Sequence, residues 1–253
     1  MTAQVLSIAG TDPTGGAGMP VDLKTFAALG CAGLSVVTAV LAQNSHGVSA
    51  IHRIPGDFIG RQLDAVFEDV RVDSVKIGML GSADAVRAVA EALGRHRPAF
   101  VVLDPVMAAS AGGSLLDSAA LETLRTELLP LVDLVTPNLP EAARLLGERE
   151  AADEAQMLEQ LHRLRLMASG VLLKGGHLRG DDCVDLLHID GAVSRLAAPR
   201  VPTTHTRGTG CILSSAIAAL RPKRSDWASA VADAKQFLTE GLKATLTQGS
   251  FTS

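Results

Sequence analysis

The chain has 253 residues, 47% of them apolar, and a formal charge of -4 carried by acidic and basic side chains scattered without runs. That length suits one large core, so a single domain over residues 1–253 is expected. The even charge gives no reason to invoke nucleic acid or a membrane surface, so small molecules are the expected partners.

Cys31, Cys183 and Cys211 lie far apart and are odd in number, so neither a disulfide framework nor a zinc knuckle is expected; a reducing, cytoplasmic setting is the simplest reading. Met1-Thr2-Ala3-Gln4 lacks the basic stretch and apolar core of a signal peptide. From there, short apolar runs rich in branched residues read as buried strands: Val5 to Ala9, Leu34 to Ala42, Val75 to Met79, Phe100 to Leu103, Leu134 to Thr136 and Val171 to Leu173. The apolar stretch from Phe26 to Ala42 is interrupted by Gly30, Gly33, Ser35 and Thr38, which fits helix, turn and strand rather than a membrane span. Ile59, Leu63, Val66, Phe67 and Val70 share one helical face, as do Val86, Val89, Ala90 and Leu93, and Trp227, Val231, Ala234, Leu238 and Leu242. Strands alternating with helices predict a mostly parallel sheet covered on both faces, with ligands at the carboxyl ends of its strands. Cys183 to Ile189 and Val193 to Ala197 flank Asp190-Gly191, which predicts a hairpin and an antiparallel edge.

Polar residues gather where these strands end. Gly10 to Gly18 forms a glycine-rich turn, with Pro20 near a helix start, and suits either an anion or ligand site or a plain tight turn. The turn lacks the Lys-Ser/Thr ending of a P-loop, and neither Gly16-Ala17-Gly18 nor Gly208-Thr209-Gly210 completes the dinucleotide fingerprint. Gln43-Asn44 stands where a dehydrogenase would place an acid for the ribose. Asp22 falls in the first helical turn, where complementing the helix dipole competes with a ligand role. Gln43 offers a donor and an acceptor that suit a pyrimidine amino group and ring nitrogen. Asp104 is a carboxylate at the end of a buried strand, harder to explain as packing. Asn138 and Glu141 have the spacing of a helix capping box and of a polar pair at a strand end. Lys174 emerges beside Gly175-Gly176-His177, as a site cation or a snorkelling surface lysine. Gly208-Thr209-Gly210-Cys211 opens an apolar helix whose N-terminus would hold an anionic transition state. The same dipole would lower the Cys211 thiol pKa and make it a candidate proton acceptor, although a free cysteine is more often a small buried apolar residue.

Gly10-Thr11-Asp12-Pro13 through Gly18, Asp22-Leu23-Lys24-Thr25-Phe26, Ala42-Gln43-Asn44, Lys76-Ile77-Gly78-Met79, Leu103-Asp104-Pro105-Val106-Met107, Thr136 to Ala142, Lys174-Gly175-Gly176-His177 and Gly208 to Cys211 occur in this order along the chain. Together they closely resemble the hydroxymethylpyrimidine/phosphomethylpyrimidine kinases of thiamine biosynthesis. The resemblance implies an α/β, ribokinase-like three-layer sandwich and two successive phosphorylations of 4-amino-5-hydroxymethyl-2-methylpyrimidine by ATP with Mg2+, in a protein commonly dimeric. It assigns Asp22, Gln43, Met79 and Val106, with backbone of Gly10 and Ala17, to the pyrimidine. Asn138 and Glu141 go to the magnesium and phosphates, Lys174 and Asp104 to the ATP phosphates, and Gly208, Thr209 and Gly210 to an anion hole. Cys211 stands where related kinases place an aspartate base.

The chain departs from that family in several places. Residues 108–113 read Ala-Ala-Ser-Ala-Gly-Gly where a lysine and an acid are usual, and Arg207 replaces a histidine before the anion hole, so Arg207 is expected to supply the missing phosphate cation. Ile212 and Pro20 also replace polar residues, and the chain stops at Ser253 without a histidine-rich tail. Two other readings compete: a pyridoxine or pyridoxal kinase, and a catalytically silent relative that only binds the pyrimidine or a B6 vitamer.

Overall fold

The structure is a computed structural model that describes residues 2–108, 113, 115–203 and 207–247, the last with side chains as far as residue 244. Strands β1 (Gln4–Thr11), β2 (Ala32–Asn44), β3 (Gly47–Arg53), β4 (Ser74–Ile77), β5 (Val101–Leu103), β6 (Leu134–Val135), β7 (Val171–Lys174), β8 (Asp182–Ile189) and β9 (Ala192–Pro199) form one sheet in the order β3-β2-β1-β4-β5-β6-β7-β8-β9. From β2 to β7 neighbouring strands run parallel. Both edges are antiparallel. The β8–β9 hairpin matches expectation, with Ile189 opposite Ala192 and both turn residues at positive φ, Asp190 at 51° and Gly191 at 78°. The second edge, β3, was not expected: its residues are mostly exposed and carry no continuous apolar run.

Alternation along each parallel strand divides the core in two. Leu6, Ile8, Val101, Leu103, Val135, Val171 and Leu173 face one side. There they meet α2 (Gly56–Asp69), α3 (Ala83–His96), α4 (Ser118–Thr123), α5 (Leu139–Leu146) and α6 (Glu154–Leu164). Val5, Val102, Leu134 and Leu172 face the other side, against α1 (Gly18–Ala28), α7 (Thr209–Leu220) and α8 (Trp227–Thr247). The three predicted apolar helix faces pack onto these cores, except that Val70 follows α2 as its cap and Leu242 lines the crevice described below. The result is the expected three-layer sandwich. No helix among the described residues is long and apolar enough to cross a membrane.

The chain passes from β1 out to β2 and then returns to β4 on the other side of β1. Loops therefore diverge between β1 and β4 and open a crevice at the strands' carboxyl ends, the position at which such sheets bind ligands.

Candidate active site

A cavity of about 710 Å³ occupies that crevice. Gly10 and Ala17 line it from the β1–α1 turn, Gln43 from the end of β2, Met79 after β4, Asp104 and Val106 after β5, Asn138 and Glu141 at the start of α5, Lys174 at the end of β7, and Gly208 to Cys211 at the start of α7. Thus all but two of the sequence-derived site residues, Asp22 and Arg207, meet at one cavity.

One end is flat and apolar. Ala39, Leu41, Met79 and Leu115 form a small buried cluster with Val106 packed on it. Gln43 continues the same β2 face at the two-residue spacing of a strand, so its amide stands at the rim of this apolar pocket. Thr38 donates its hydroxyl to the Met79 carbonyl at 2.6 Å, fixing the pocket floor. A side chain at Gly10 would come within 3.0 Å of both Leu41 and Met79. Glycine there keeps the pocket open.

The middle of the cavity holds the charge. Lys174 donates from Nζ to Asp104 Oδ1 at 2.9 Å and is only 13% exposed, so it is a site cation and not a surface lysine. Burial opposes its charge, but Asp104 and Glu141 more than offset this and hold the ammonium above its ordinary pKa. Burial likewise pushes Asp104 up, yet Lys174 and Lys76 outweigh it and keep the carboxyl below its ordinary value. Asn138 and Glu141 make a full capping box: Glu141 N–H donates to Asn138 Oδ1 at 2.8 Å, and Asn138 N–H donates to Glu141 Oε2 at 2.8 Å. The cap and a place on the cavity wall coexist, because the cap holds the Glu141 carboxylate there. Burial pushes Glu141 up to about 7, with Asp104 adding to the rise and Lys174 opposing it.

The N-terminal turn of α7 closes the cavity beside this pair. Gly208 takes a left-handed φ of 76°, and a Cβ there would lie 2.4 Å from the Gly16 carbonyl, so glycine is required for the backbone contact between the two loops. A Cβ built on Gly210 would lie 3.2 Å from Lys174 Nζ, which places the positive end of the helix dipole beside the lysine. Cys211 differs from expectation. Burial is the largest influence on its thiol and pushes it up to about 11; Asp104 and Asp22 reinforce the rise against Lys76 and a Gly18 N–H donated to the sulfur. The helix dipole does not win, and at neutral pH the thiol is protonated.

Two assignments need correction. Asp22 lies not in the first turn of α1 but one turn deeper, fully buried, and it is not among the residues lining the cavity. Its carboxylate accepts from Lys76 at 2.8 and 2.9 Å, from the Ser7 hydroxyl at 2.6 Å and from the Ser215 hydroxyl at 2.8 Å. Burial opposes the Lys76 charge, but Asp22, with help from Cys211 and Asp104, holds it above its ordinary pKa. Arg207, expected to face a phosphate, instead donates to Asp12 Oδ2 at 2.6 Å and to Thr14 Oγ1 at 3.2 Å, and it is absent from the cavity wall. Asp12, only 2% exposed, draws the arginine to the β1–α1 loop. Residues 109–112 and 248–253, where the altered loop and the short tail were noted, lie outside the described residues.

Sequence reasoning missed Lys76, Asp12 and the Asp185–Lys235 pair. Lys235 lines the far end of the cavity and donates to Asp185 Oδ2 at 2.5 Å, while Asp185 Oδ1 accepts from Gly175 N–H at 3.0 Å. The available signal for Lys76 was a charge in the middle of the apolar run Val75-Lys76-Ile77, since fully buried lysines are rare without a partner.

The phosphomethylpyrimidine kinase family profile matches residues 12–252. The chain belongs to this family. It is 53% identical over 238 residues to the hydroxymethylpyrimidine/phosphomethylpyrimidine kinase of Escherichia coli (strain K12), covering 94% of this chain and 90% of that one. Among solved structures it matches the phosphomethylpyrimidine kinase of Clostridium difficile 630 with a TM-score of 0.83 and 37% identity, over 95% of this chain and all of the other. It also matches the Staphylococcus aureus pyridoxal kinase in complex with AMP-PCP and pyridoxal, with a TM-score of 0.86 and 29% identity, over 94% of this chain and 87% of that one. The fold is therefore that of the ribokinase-like vitamin kinases, the activity class is kinase, and ATP is the co-substrate.

Proposed function

We propose that the chain, acting as one catalytic unit over residues 1–253, transfers the terminal phosphate of ATP to the hydroxymethyl group of 4-amino-5-hydroxymethyl-2-methylpyrimidine. It then phosphorylates the resulting monophosphate. The observation that carries this reading is the two-ended cavity: an apolar pocket rimmed by the Gln43 amide at one side, and the Lys174–Asp104 pair with the α7 N-terminus next to it. The Gln43 carbonyl accepts from the pyrimidine amino group, and its NH2 donates to a ring nitrogen.

Phosphoryl transfer through a loose transition state depends mainly on alignment and charge neutralisation. In this site Lys174 neutralises charge on the transferring phosphate, and the first turn of α7 holds its equatorial oxygens. A protonated Cys211 thiol is compatible with that chemistry: in a loose transition state the acceptor hydroxyl loses its proton late, to an oxygen of the transferred phosphate, and an acceptor phosphate needs no base. Mg2+ belongs to this reading: when bound, it would neutralise charge on the ATP phosphates. The Asp104 and Glu141 carboxylates, both on the cavity wall near Lys174, fit a small hard cation that takes one or two protein oxygens plus phosphate. Asn138, through its cap, would hold Glu141 in place for that ion. A homodimer in the cytoplasm completes the proposal, and sedimentation of the purified chain tests the dimer.

The likeness to pyridoxal kinases favours one alternative, phosphorylation of pyridoxine or pyridoxal. ADP release measured with hydroxymethylpyrimidine, its monophosphate and pyridoxine as separate acceptors distinguishes the readings. The first two are expected to turn over with kcat/KM well above pyridoxine. The opposite ranking assigns the chain to B6, and silence with all three makes it a binding protein.

A further inference from the structure

The β1–α1 loop and the start of α7 meet along a seam. Gly208 and Gly16 touch backbone to backbone, and Gly18 lies so close to Gly10 that a Cβ on it would come within 2.5 Å of the Gly10 carbonyl. Across the seam one carboxylate gathers the loop. Asp12 Oδ1 accepts from the Thr14 N–H at 3.0 Å and the Thr14 hydroxyl at 2.9 Å, and Asp12 Oδ2 accepts from the Gly16 N–H at 3.2 Å. The Asp12 side chain is 1% exposed, and Arg207 Nη2 supplies a cation at 2.6 Å while Nη1 reaches Thr14 Oγ1. Arg207 thus binds both the carboxylate that shapes the turn and a residue of the turn. It does so from the position immediately before the α7 helix, 195 residues along the chain from Asp12.

We infer that Arg207 is a positioning residue for the acceptor: it straps the Gly10–Gly18 turn, which walls the pyrimidine end of the cavity, to the α7 turn that faces the phosphates. It contacts neither substrate. Two of its N–H groups are held by the loop and the side chain does not line the cavity, so its effect reaches the ligand through Ala17, Gly18 and Asp12 on the cavity wall. The inference rests on the acceptor assignment above only for its kinetic readout; the strap itself is a statement about the loop.

The test uses Arg207→Met, Asp12→Asn and the double variant. Each single change is expected to raise the acceptor KM on the order of tenfold, as for loss of one charged hydrogen bond, with the ATP KM within about twofold of wild type. The double variant is expected to match Asp12→Asn alone, because without the Asp12 carboxylate Arg207 has no link left to lose. Additive losses, or an ATP KM raised by Arg207→Met and not by Asp12→Asn, overturn the strap and return Arg207 to a phosphate role. Arg207→His adds a readout that a packing defect cannot mimic. Its imidazole faces Asp12, with Lys24 the other charged group at the turn, donating to the Gly15 carbonyl at 3.1 Å. A protonated imidazole gives Asp12 a charged partner and a neutral one only an uncharged, weaker hydrogen bond, so the acceptor KM relative to wild type is expected to rise between about pH 6 and pH 8. A flat ratio contradicts the strap. Hydrogen exchange of the Thr11 to Gly18 amides needs no turnover: it is expected to quicken on the order of tenfold in Arg207→Met and at least as much in Asp12→Asn, which also loses the carboxylate that accepts from two of these amides. Unchanged exchange sinks the inference even if the acceptor proves to be a different molecule. If wild type turns over no pyrimidine while the exchange quickens, the acceptor assignment fails and the strap stands.

Discussion

Gln43 and Lys174 sit on the same cavity, and the proposed function has them answer to different substrates, a division that is measurable. Gln43→Leu keeps the size of the side chain and removes both hydrogen bonds; the acceptor KM is expected to rise at least tenfold with the ATP KM unchanged. Lys174→Ala removes charge at the phosphates and leaves the buried Asp104 without its closest cation. Its kcat/KM for ATP is expected to fall roughly a hundredfold or more, with equilibrium binding of the pyrimidine retained. Unequal effects of the reverse pattern, read by steady-state kinetics and calorimetry, contradict the assignment. Glu141 carries a pH signature. Its carboxyl is raised from 4.5 to about 7 by burial, so the folded protein holds a proton that the unfolded chain has released. This contribution to stability is fully present below about pH 4.5 and is lost as pH climbs through about 7. Thermal unfolding of the ligand-free protein is therefore expected to show wild type losing stability relative to Glu141→Gln across pH 5 to 8. A difference that grows in the other direction refutes the raised carboxyl.

At the scale of elements, the buried Lys76–Asp22 pair joins β4 to α1, while Ser7 ties the same carboxylate to β1 and Ser215 ties it to α7. These four elements carry the turns that build the crevice. A buried ion pair is weak grounds for stability in itself, but removing one partner leaves an uncompensated charge. Lys76→Met is expected to destabilise by about 3–5 kcal/mol in denaturant unfolding, and Lys76→Met with Asp22→Leu to recover much of that loss. A double variant no more stable than the single contradicts this account. Much of the element structure was legible because parallel strands buried on both faces read as short branched runs, and Asp190-Gly191 announces its own turn. Strand β3 was not legible: Gly47–Arg53 is a half-exposed edge whose only partner is β2, and nothing in its own residues requires a sheet.

At the scale of the whole molecule, strand order turns scattered blocks into one site. Residues at strand ends converge because the sheet places those ends side by side, so the gathering of Gln43, Asp104 and Lys174 around one crevice was legible from their positions, and Gly208 joins them from the start of α7. Asp22 and Arg207 were misplaced for the complementary reason. Each has a polar partner far away in sequence, Lys76 and Asp12, and local position says nothing about such a partner. Cys211 shows the same limit in electrostatics: a helix N-terminus lowers a thiol pKa, but burial beside Asp104 and Asp22 raises it further. The most direct measurement is a crystal structure with hydroxymethylpyrimidine and a non-hydrolysable ATP analogue bound together. The ring is expected against Gln43, with its hydroxymethyl oxygen in line with a γ-phosphate held by Lys174 and the first turn of α7. A ring and a terminal phosphate in separate cavities, or a phosphate turned away from Gly208 to Cys211, would contradict the assignment of this crevice.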